Sequence, residues 1–191
     1  MKQASKLTTY VALLRGINVG GNTMVSMKDL KSCFEDLGLR DVVTYINSGN
    51  IIFKDSRQST PALVRLIESG IKARCKMEIR VVIKTRSDIA AICKKIPTDW
   101  VTDKLMRTDV MFLWDDVDSP DVISAIAINP KVDNLLHVKG ALIWNVARDN
   151  YGKSKLPKIM GTRIYKNMTA RNANTTRKLL DLMSNDHSPS R

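Results

Sequence analysis

Histidine is nearly missing from these 191 residues, with only His137 and His187 present. A zinc site built on imidazole is therefore close to excluded. A Ser-His-Asp triad would have to use His137, and no Gly-x-Ser-x-Gly elbow accompanies any serine. Aromatic residues are 5% of the chain, too few for base stacking across a sheet in the manner of RNA-recognition modules. No apolar run reaches the roughly 18 residues that cross a bilayer. Met1 to Lys6 carries charge with no apolar stretch behind it, so it does not read as a secretory signal. The expected location is cytoplasmic, and no membrane partner is expected. The three cysteines, Cys33, Cys75 and Cys93, are odd in number and far apart, the pattern of reduced thiols rather than of a disulfide scaffold. The glycines make neither a Gly-Lys-Ser/Thr phosphate loop nor a Gly-x-Gly-x-x-Gly fingerprint, and no paired carboxylates are spaced as in a glycosidase. No cofactor and no metal are expected, and whether the chain is an enzyme stays open.

What the chain does carry is positive charge, +12 in formal terms. It is unevenly spread. Residues 1–95 hold 17 Lys and Arg against 8 Asp and Glu, residues 96–149 hold 5 against 9, and residues 150–191 hold 9 against 2. Basic segments on either side of an acidic centre attract polyanions and raise encounter rates with them. The competing reading is that surplus lysine serves solubility. With 43% hydrophobic and 26% charged residues, the chain has the make-up of a globular protein that can bury a core.

The pattern along the chain predicts a repeated order of elements. Val11 to Leu14 is a short buried strand ahead of Gly16. Ser26 and Asp29 have the spacing of a helix start, and Met27, Leu30, Phe34 and Leu37 mark one helical face, closed by Gly38. Val42 to Ile46, the Asn47-Ser48-Gly49 turn and Asn50 to Phe53 form a hairpin. Thr60-Pro61 opens a second helix, and Met77 to Lys84 alternates as a strand. A helix from about Ser87 to Lys95 follows. The order then recurs: a strand at Asp109 to Trp114, a helix opened by Ser119-Pro120, and a hairpin around Lys139-Gly140. A helix near Lys155 to Met160, a strand at Arg163 to Met168 and a helix from about Thr175 to Met183 complete it, ahead of a tail expected to fray. The prediction is an α+β fold of two consecutive ferredoxin-like (βαββαβ) modules, residues 7–95 and 105–185.

In such a sheet the first and third strands are central neighbours, so the end of the first meets the turn that begins the third. That places Arg15, Asn18, Gly20, Gly21 and Asn22 beside Tyr45, Ser48 and Asn50 on one rim. Glycine backbone N–H groups and an arginine fork suit a phosphate or carboxylate; equally, the glycines permit tight turns and the Asn and Ser side chains bond the loop backbone. The corresponding rim of the second module holds Asp115, Asp116, Asp118 and Asp121. These could hold a hard cation, but they fit no EF-hand, and Asp121 already has a helix-start explanation.

The segment Val11-Ala-Leu-Leu-Arg-Gly-Ile-Asn-Val-Gly-Gly21, followed by Met27, Leu30, Leu37-Gly38, Thr44-Tyr-Ile-Asn-Ser-Gly-Asn50 and Phe53, resembles the domain-of-unknown-function family 1697. Tyr151-Gly-Lys-Ser-Lys-Leu156, Thr169-Ala-Arg-Asn172, Thr175 and Lys178-Leu179 are similar to its C-terminal pattern. The resemblance spans nearly the whole chain and implies a fold and candidate positions without an activity. It adds Tyr151, Lys153, Ser154, Lys155, Thr169, Arg171 and Asn172 as candidate ligand-binding residues, with helix capping and interdomain bonding as their alternative role. The family pattern has a tryptophan after its Arg-Asn pair, where this chain has Ala173, so no role of that indole carries over. The expected partner is nucleic acid or another polyanion; the alternative is an anionic small molecule, a phosphorylated or carboxylated metabolite.

Overall fold

Alternation in Thr8–Leu14 sends Tyr10, Ala12 and Leu14 to one side of a strand and Val11 and Leu13 to the other, and all five are buried. This is β1 of the computed structural model, which describes residues 7–18 and 24–184. After it come α1 (Met27–Asp36), β2 (Arg40–Tyr45), β3 (Asn50–Asp55), α2 (Thr60–Cys75), β4 (Val81–Thr85) and α3 (Arg86–Lys95). Strand β5 (Met106–Leu113) is followed by a 3-10 helix at Pro120–Ala125, then β6 (Asn134–Val138) and β7 (Ala141–Ala147). Two further 3-10 helices, Arg148–Lys153 and Leu156–Ile159, lead to α4 (Arg163–Lys166), β8 (Met168–Asn172) and α5 (Ala173–Ser184). The chain divides into two compact units, Met1–Ser87 with Asp181–Arg191, and Asp88–Leu180.

Each unit holds one four-stranded antiparallel sheet, in the order β2-β3-β1-β4 and β6-β7-β5-β8. In both, the first and third strands of the module are adjacent at the centre and the second and fourth lie at the edges. This is the strand order of the βαββαβ module, so the α+β class and the two consecutive modules hold.

In the first unit, Tyr10, Ala12, Leu14, Ile51, Phe53, Val81 and Ile83 pack with Leu30, Cys33 and Phe34 of α1 and Leu63, Ile67 and Ile71 of α2. Helical spacing brings those residues to one face of each helix. Phe53 stacks on Tyr10 at 5.5 Å and meets the edge of Phe34 at 5.7 Å. The Tyr10 hydroxyl donates to the Arg57 carbonyl at 2.8 Å, so its polar tip is satisfied. Each such aliphatic or aromatic side chain contributes about 1.5–3 kcal/mol on burial. Ser26 Oγ caps α1 by accepting from the Asp29 N–H at 3.3 Å. Thr60-Pro61 opens α2 with Ser59 as its cap: Ser59 Oγ accepts from Ala62 N–H at 3.4 Å, and Pro61, which has no N–H, sits in the first turn where none is needed. Strand β4 starts at Val81, later than the alternation from Met77 suggests, because its partner β1 ends opposite at Leu14.

In the second unit the crossover helices shrink to short turns. The segment opened by Ser119-Pro120 is a 3-10 helix, and Ile126 leaves it in an extended conformation to reach the core. Leu156–Ile159 is likewise 3-10, with Gly161 at φ +87° just beyond it. The strand expected at Arg163 to Met168 is instead α4 followed by β8. Thr162 Oγ1 accepts from the Tyr165 N–H at 3.1 Å and starts a helical turn where a strand would have begun. Met111, Leu113, Leu142, Trp144, Val146 and Met168 form this unit's core with Val122, Ile126, Leu156 and Ile159. On the opposite face of β5 and β7, Thr108, Val110, Phe112, Ala141, Ile143 and Asn145 are buried as well. Among the described residues no helix is long and apolar enough to cross a membrane.

Candidate anion-binding surfaces

The rim of the first unit is built by β1 running into the β2–β3 turn. Leu14 N–H donates to the Gly49 carbonyl at 2.8 Å, and Arg15 N–H to the Arg80 carbonyl at 3.0 Å. Asn18 has φ +54°, a left-handed conformation that asparagine tolerates better than most residues. Its Nδ2 donates to the carbonyls of Asn47 at 2.8 Å and Val25 at 3.0 Å, while its Oδ1 accepts from Val25 N–H at 2.8 Å. One amide therefore joins the β1 exit, the hairpin tip and the approach to α1. Asn50 is fully buried, and its Nδ2 donates to the Tyr45 carbonyl at 3.0 Å and to Ser48 Oγ at 3.1 Å. Gly49 is required twice over: its φ is +73°, and a Cβ there would lie 2.7 Å from Ile17 Cδ1 and 2.8 Å from Leu14 Cβ.

The structure thus places Arg15, Asn18, Tyr45, Ser48 and Asn50 on one rim, and the side chains of Asn18 and Asn50 serve the loops that form it. Gly20, Gly21 and Asn22 lie outside the described residues, as do the tail from residue 185 and His187.

The second candidate segment belongs to the other unit. Its centre is Asp133, a buried carboxylate that sequence reasoning missed. Oδ1 accepts from Trp144 Nε1 at 3.0 Å, and Oδ2 accepts from the N–H groups of Asn129 at 2.7 Å and Lys155 at 3.0 Å. The Ser154 hydroxyl bonds it too. Burial alone pushes Asp133 up, but these hydrogen bonds outweigh it and hold the carboxyl below its ordinary value. Ser154 Oγ also accepts from Leu156 N–H at 3.1 Å. The Tyr151 ring lies 5.1 Å from the Arg107 guanidinium, which sits 5.4 Å from the Trp144 ring and donates from Nε to Asp109 at 2.8 Å. In the Tyr151–Lys155 motif, the Tyr151 ring, Ser154 and the backbone of Lys155 therefore anchor a loop onto the core. The side chains of Lys153 and Lys155 are exposed. The signal available beforehand was Trp144: a buried indole N–H requires an acceptor.

Thr169 and Arg171 are buried side by side on one face of β8. Arg171 Nη1 donates to Thr169 Oγ1 at 3.0 Å and to the Ala170 carbonyl at 2.7 Å. Burial lowers its pKa to about 10, which leaves it charged at neutral pH. Asn172 Oδ1 accepts from Thr175 N–H at 2.7 Å, the bond of a helix N-cap, and Ala173 behind it is fully buried.

Two of the four acidic rim carboxylates, Asp116 and Asp118, have basic or backbone partners. Asp118 accepts from the Gly140 N–H at 2.8 Å and meets His137 Nε2 at 2.8 Å, and Asp116 lies 4.0 Å from Arg163. No group of three or more His, Cys, Asp or Glu that could hold a metal ion occurs among the described residues.

The accessible cationic groups lie elsewhere. From Asn150 to Leu180 the sequence has eight Lys and Arg and no Asp or Glu. Arg171 is buried, and Arg177 donates to the carbonyls of Trp100 and Pro97 at 3.2 and 3.0 Å. Lys153, Lys155, Lys158, Arg163, Lys166 and Lys178 are exposed. The first five sit on or beside three consecutive short helical segments, two 3-10 and then α4.

A family model described as a protein of unknown function (DUF1697) matches residues 7–144. Among solved structures, the chain is similar to the conserved bacterial protein SP0830 from Streptococcus pneumoniae, at 29% identity and a TM-score of 0.80, covering 94% of this chain and 100% of that one. No curated protein sequence matches.

Proposed function

The chain belongs to the DUF1697 family of proteins of unknown function, and from that starting point we propose that it is a polyanion-binding protein, with nucleic acid as the polyanion. The observation that supports this reading is the carboxylate-free stretch from Asn150 to Leu180 with its six exposed cations. Five of them, Lys153 to Lys166, follow one another on turns of a single unit. Phosphates spaced along a strand can release counterions against such a series. The first unit adds exposed cations on its helices, including Lys28, Lys31, Arg65, Lys72 and Arg74. Several of those are already paired: Lys31 with Glu35, Lys72 with Glu78 and Arg74 with Asp36. The second unit is the better-supported contact surface because its five cations follow one another in a stretch without Asp or Glu, although Arg163 also lies 4.0 Å from Asp116.

Recognition on this reading is electrostatic and blind to sequence. Among the described residues Tyr151 is the one aromatic side chain in the set of exposed large apolar residues, and its ring is engaged with Arg107 rather than open as a stacking platform. An anionic metabolite held at the Arg15 rim has weaker support, because the Asn18 and Asn50 amides are used in fastening the rim itself. A cytoplasmic setting accords with Cys33, Cys75 and Cys93 being thiols outside any disulfide.

The test is fluorescence anisotropy with short labelled single- and double-stranded DNA and RNA. Replacing Lys153, Lys155, Lys158, Arg163 and Lys166 together with Gln should lower affinity by at least tenfold for every sequence. Replacing Lys31, Lys72 and Arg74 should have a much smaller effect. Equal losses from both sets, or no binding by the native protein, would refute the proposal.

A further inference from the structure

Strand β6 stands at the edge of its sheet, paired on one side with β7. The two-residue turn Lys139-Gly140 closes on the Val138–Ala141 pair, which makes that pair hydrogen-bonded. Pairs alternate from there, so Val138, Leu136 and Asn134 direct their backbone groups at β7. Leu135 and His137 direct theirs away from it, to the side where no strand lies among the described residues. Proteins usually blunt such an edge with proline, an internal charge or a bulge. Asn134–Val138 has no proline and no Lys, Arg, Asp or Glu, and its ladder with β7 runs without a register shift.

Beside this edge lies a cavity of about 460 Å³ lined by Ala91, Ile92 and Lys95 of α3 and by Leu136, His137, Val138 and Lys139. Leu136, Val138, Ala91 and Ile92 give it an apolar floor, and Leu136 is 39% exposed. Lys95 and Lys139 supply its charge, and no carboxylate is among the lining residues. The nearest acid in the bonding network, Asp118, is held by His137 and the Gly140 N–H.

We infer that β6 and this groove accept an extended acidic segment of another protein as a fifth strand. Its main chain would bond the outward groups of Leu135 and His137. Alternate side chains would be apolar and rest against Ala91, Ile92, Leu136 and Val138, while carboxylates at the ends meet Lys95 and Lys139. Backbone pairing supplies affinity and the alternating pockets supply specificity in this mode of recognition. Charge decides the occupant. A second copy of the chain would bring another Lys95 and Lys139 to a groove that has no carboxylate to meet them, whereas an acidic strand complements both.

The probe is a labelled nine-residue peptide alternating valine with glutamate, compared with its valine–lysine counterpart and with a version N-methylated on alternate amides. Against the full chain, the glutamate peptide should bind at least tenfold more tightly than either comparison peptide. It should also slow hydrogen exchange at the Leu135 and His137 amides. The double variant Lys95→Glu/Lys139→Glu, both positions being exposed, should reverse the preference towards the lysine peptide. Equal binding of the N-methylated peptide would overturn strand addition. An unchanged preference in the double variant would overturn the charge assignment. Self-association in sedimentation, accompanied by slowed β6 exchange without peptide, would overturn the occupant in favour of a second copy. Oligonucleotide binding is followed separately on the same variant and should be unaffected beyond the loss of two charges.

Discussion

The Trp144 indole donates to the Asp133 carboxylate at 3.0 Å, from the middle of strand β7 to the loop just ahead of β6. Through the other oxygen of that carboxylate, which accepts from Lys155 N–H, the same contact fixes the end of the Tyr151–Lys155 motif. The exposed lysines of that motif are thus held in place by a buried core contact, and the first prediction follows from it. Asp133→Asn should destabilise the protein by about 1–3 kcal/mol, the cost of leaving buried donors without an ionised acceptor. Urea unfolding monitored by tryptophan fluorescence measures this, and an unchanged midpoint would contradict it.

Acid should weaken the fold through two carboxylates. Hydrogen bonds from Arg57 hold Asp55 below its ordinary value, and the four donors around Asp133 do the same despite burial. A carboxyl depressed in the folded state stabilises it above the unfolded value, near 3.9, and that stability is lost as pH falls through the lower folded value. Urea midpoints should therefore be flat above about pH 5 and drop steadily below about pH 4. Asp133→Asn should show a shallower drop than the native chain.

Asn18→Ala should cost about 2–3 kcal/mol, since it removes three hydrogen bonds and places alanine at positive φ. Asn18→Gly, which tolerates that backbone, should cost less than Asn18→Ala. Oligonucleotide affinity should stay within about twofold of native in the folded fraction of both variants, because the rim is architecture in this account. A selective loss of binding with stability intact would give the rim a ligand.

Gly49→Ala should be among the most damaging single-methyl changes in the first unit. The added carbon meets Ile17 and the Leu14 backbone-adjacent Cβ at under 3 Å, and it does so at φ +73°. A loss of more than about 2 kcal/mol is expected in chemical denaturation. A change under about 0.5 kcal/mol would mean that the hairpin can move away from β1 at little cost.

The first unit could be read from the chain because its periodicities are clean and its caps are local. Leu30, Phe34 and Leu37 announce α1, Ser26 caps it, and Asn47-Ser48-Gly49 announces the turn that the structure contains. The second unit was harder because its crossovers are held by tertiary bonds rather than by propensity. Nothing in Met168–Asn172 alternates in the way a strand does, yet it pairs with β5 from Leu113 to Asp109. Among the site residues, sequence placed Arg15, Asn18, Tyr45, Ser48 and Asn50 around one rim. It left open whether the polar side chains there hold an anion or bond the loop backbone, and the Asn18 and Asn50 amides do bond the backbone. Asp133 escaped notice because its partners, Trp144 and Lys155, are distant in sequence and belong to separate elements.

The most direct test of the polyanion reading is the salt dependence of oligonucleotide binding by the native chain and by the variant with Gln at 153, 155, 158, 163 and 166. Each phosphate contact on a single strand contributes about −0.7 to the slope of log affinity against log salt. The account predicts a steep slope for the native protein and one shallower by about 3 in the variant. Equal slopes for the two proteins would contradict it and leave the exposed cations of 153–166 with no role in binding.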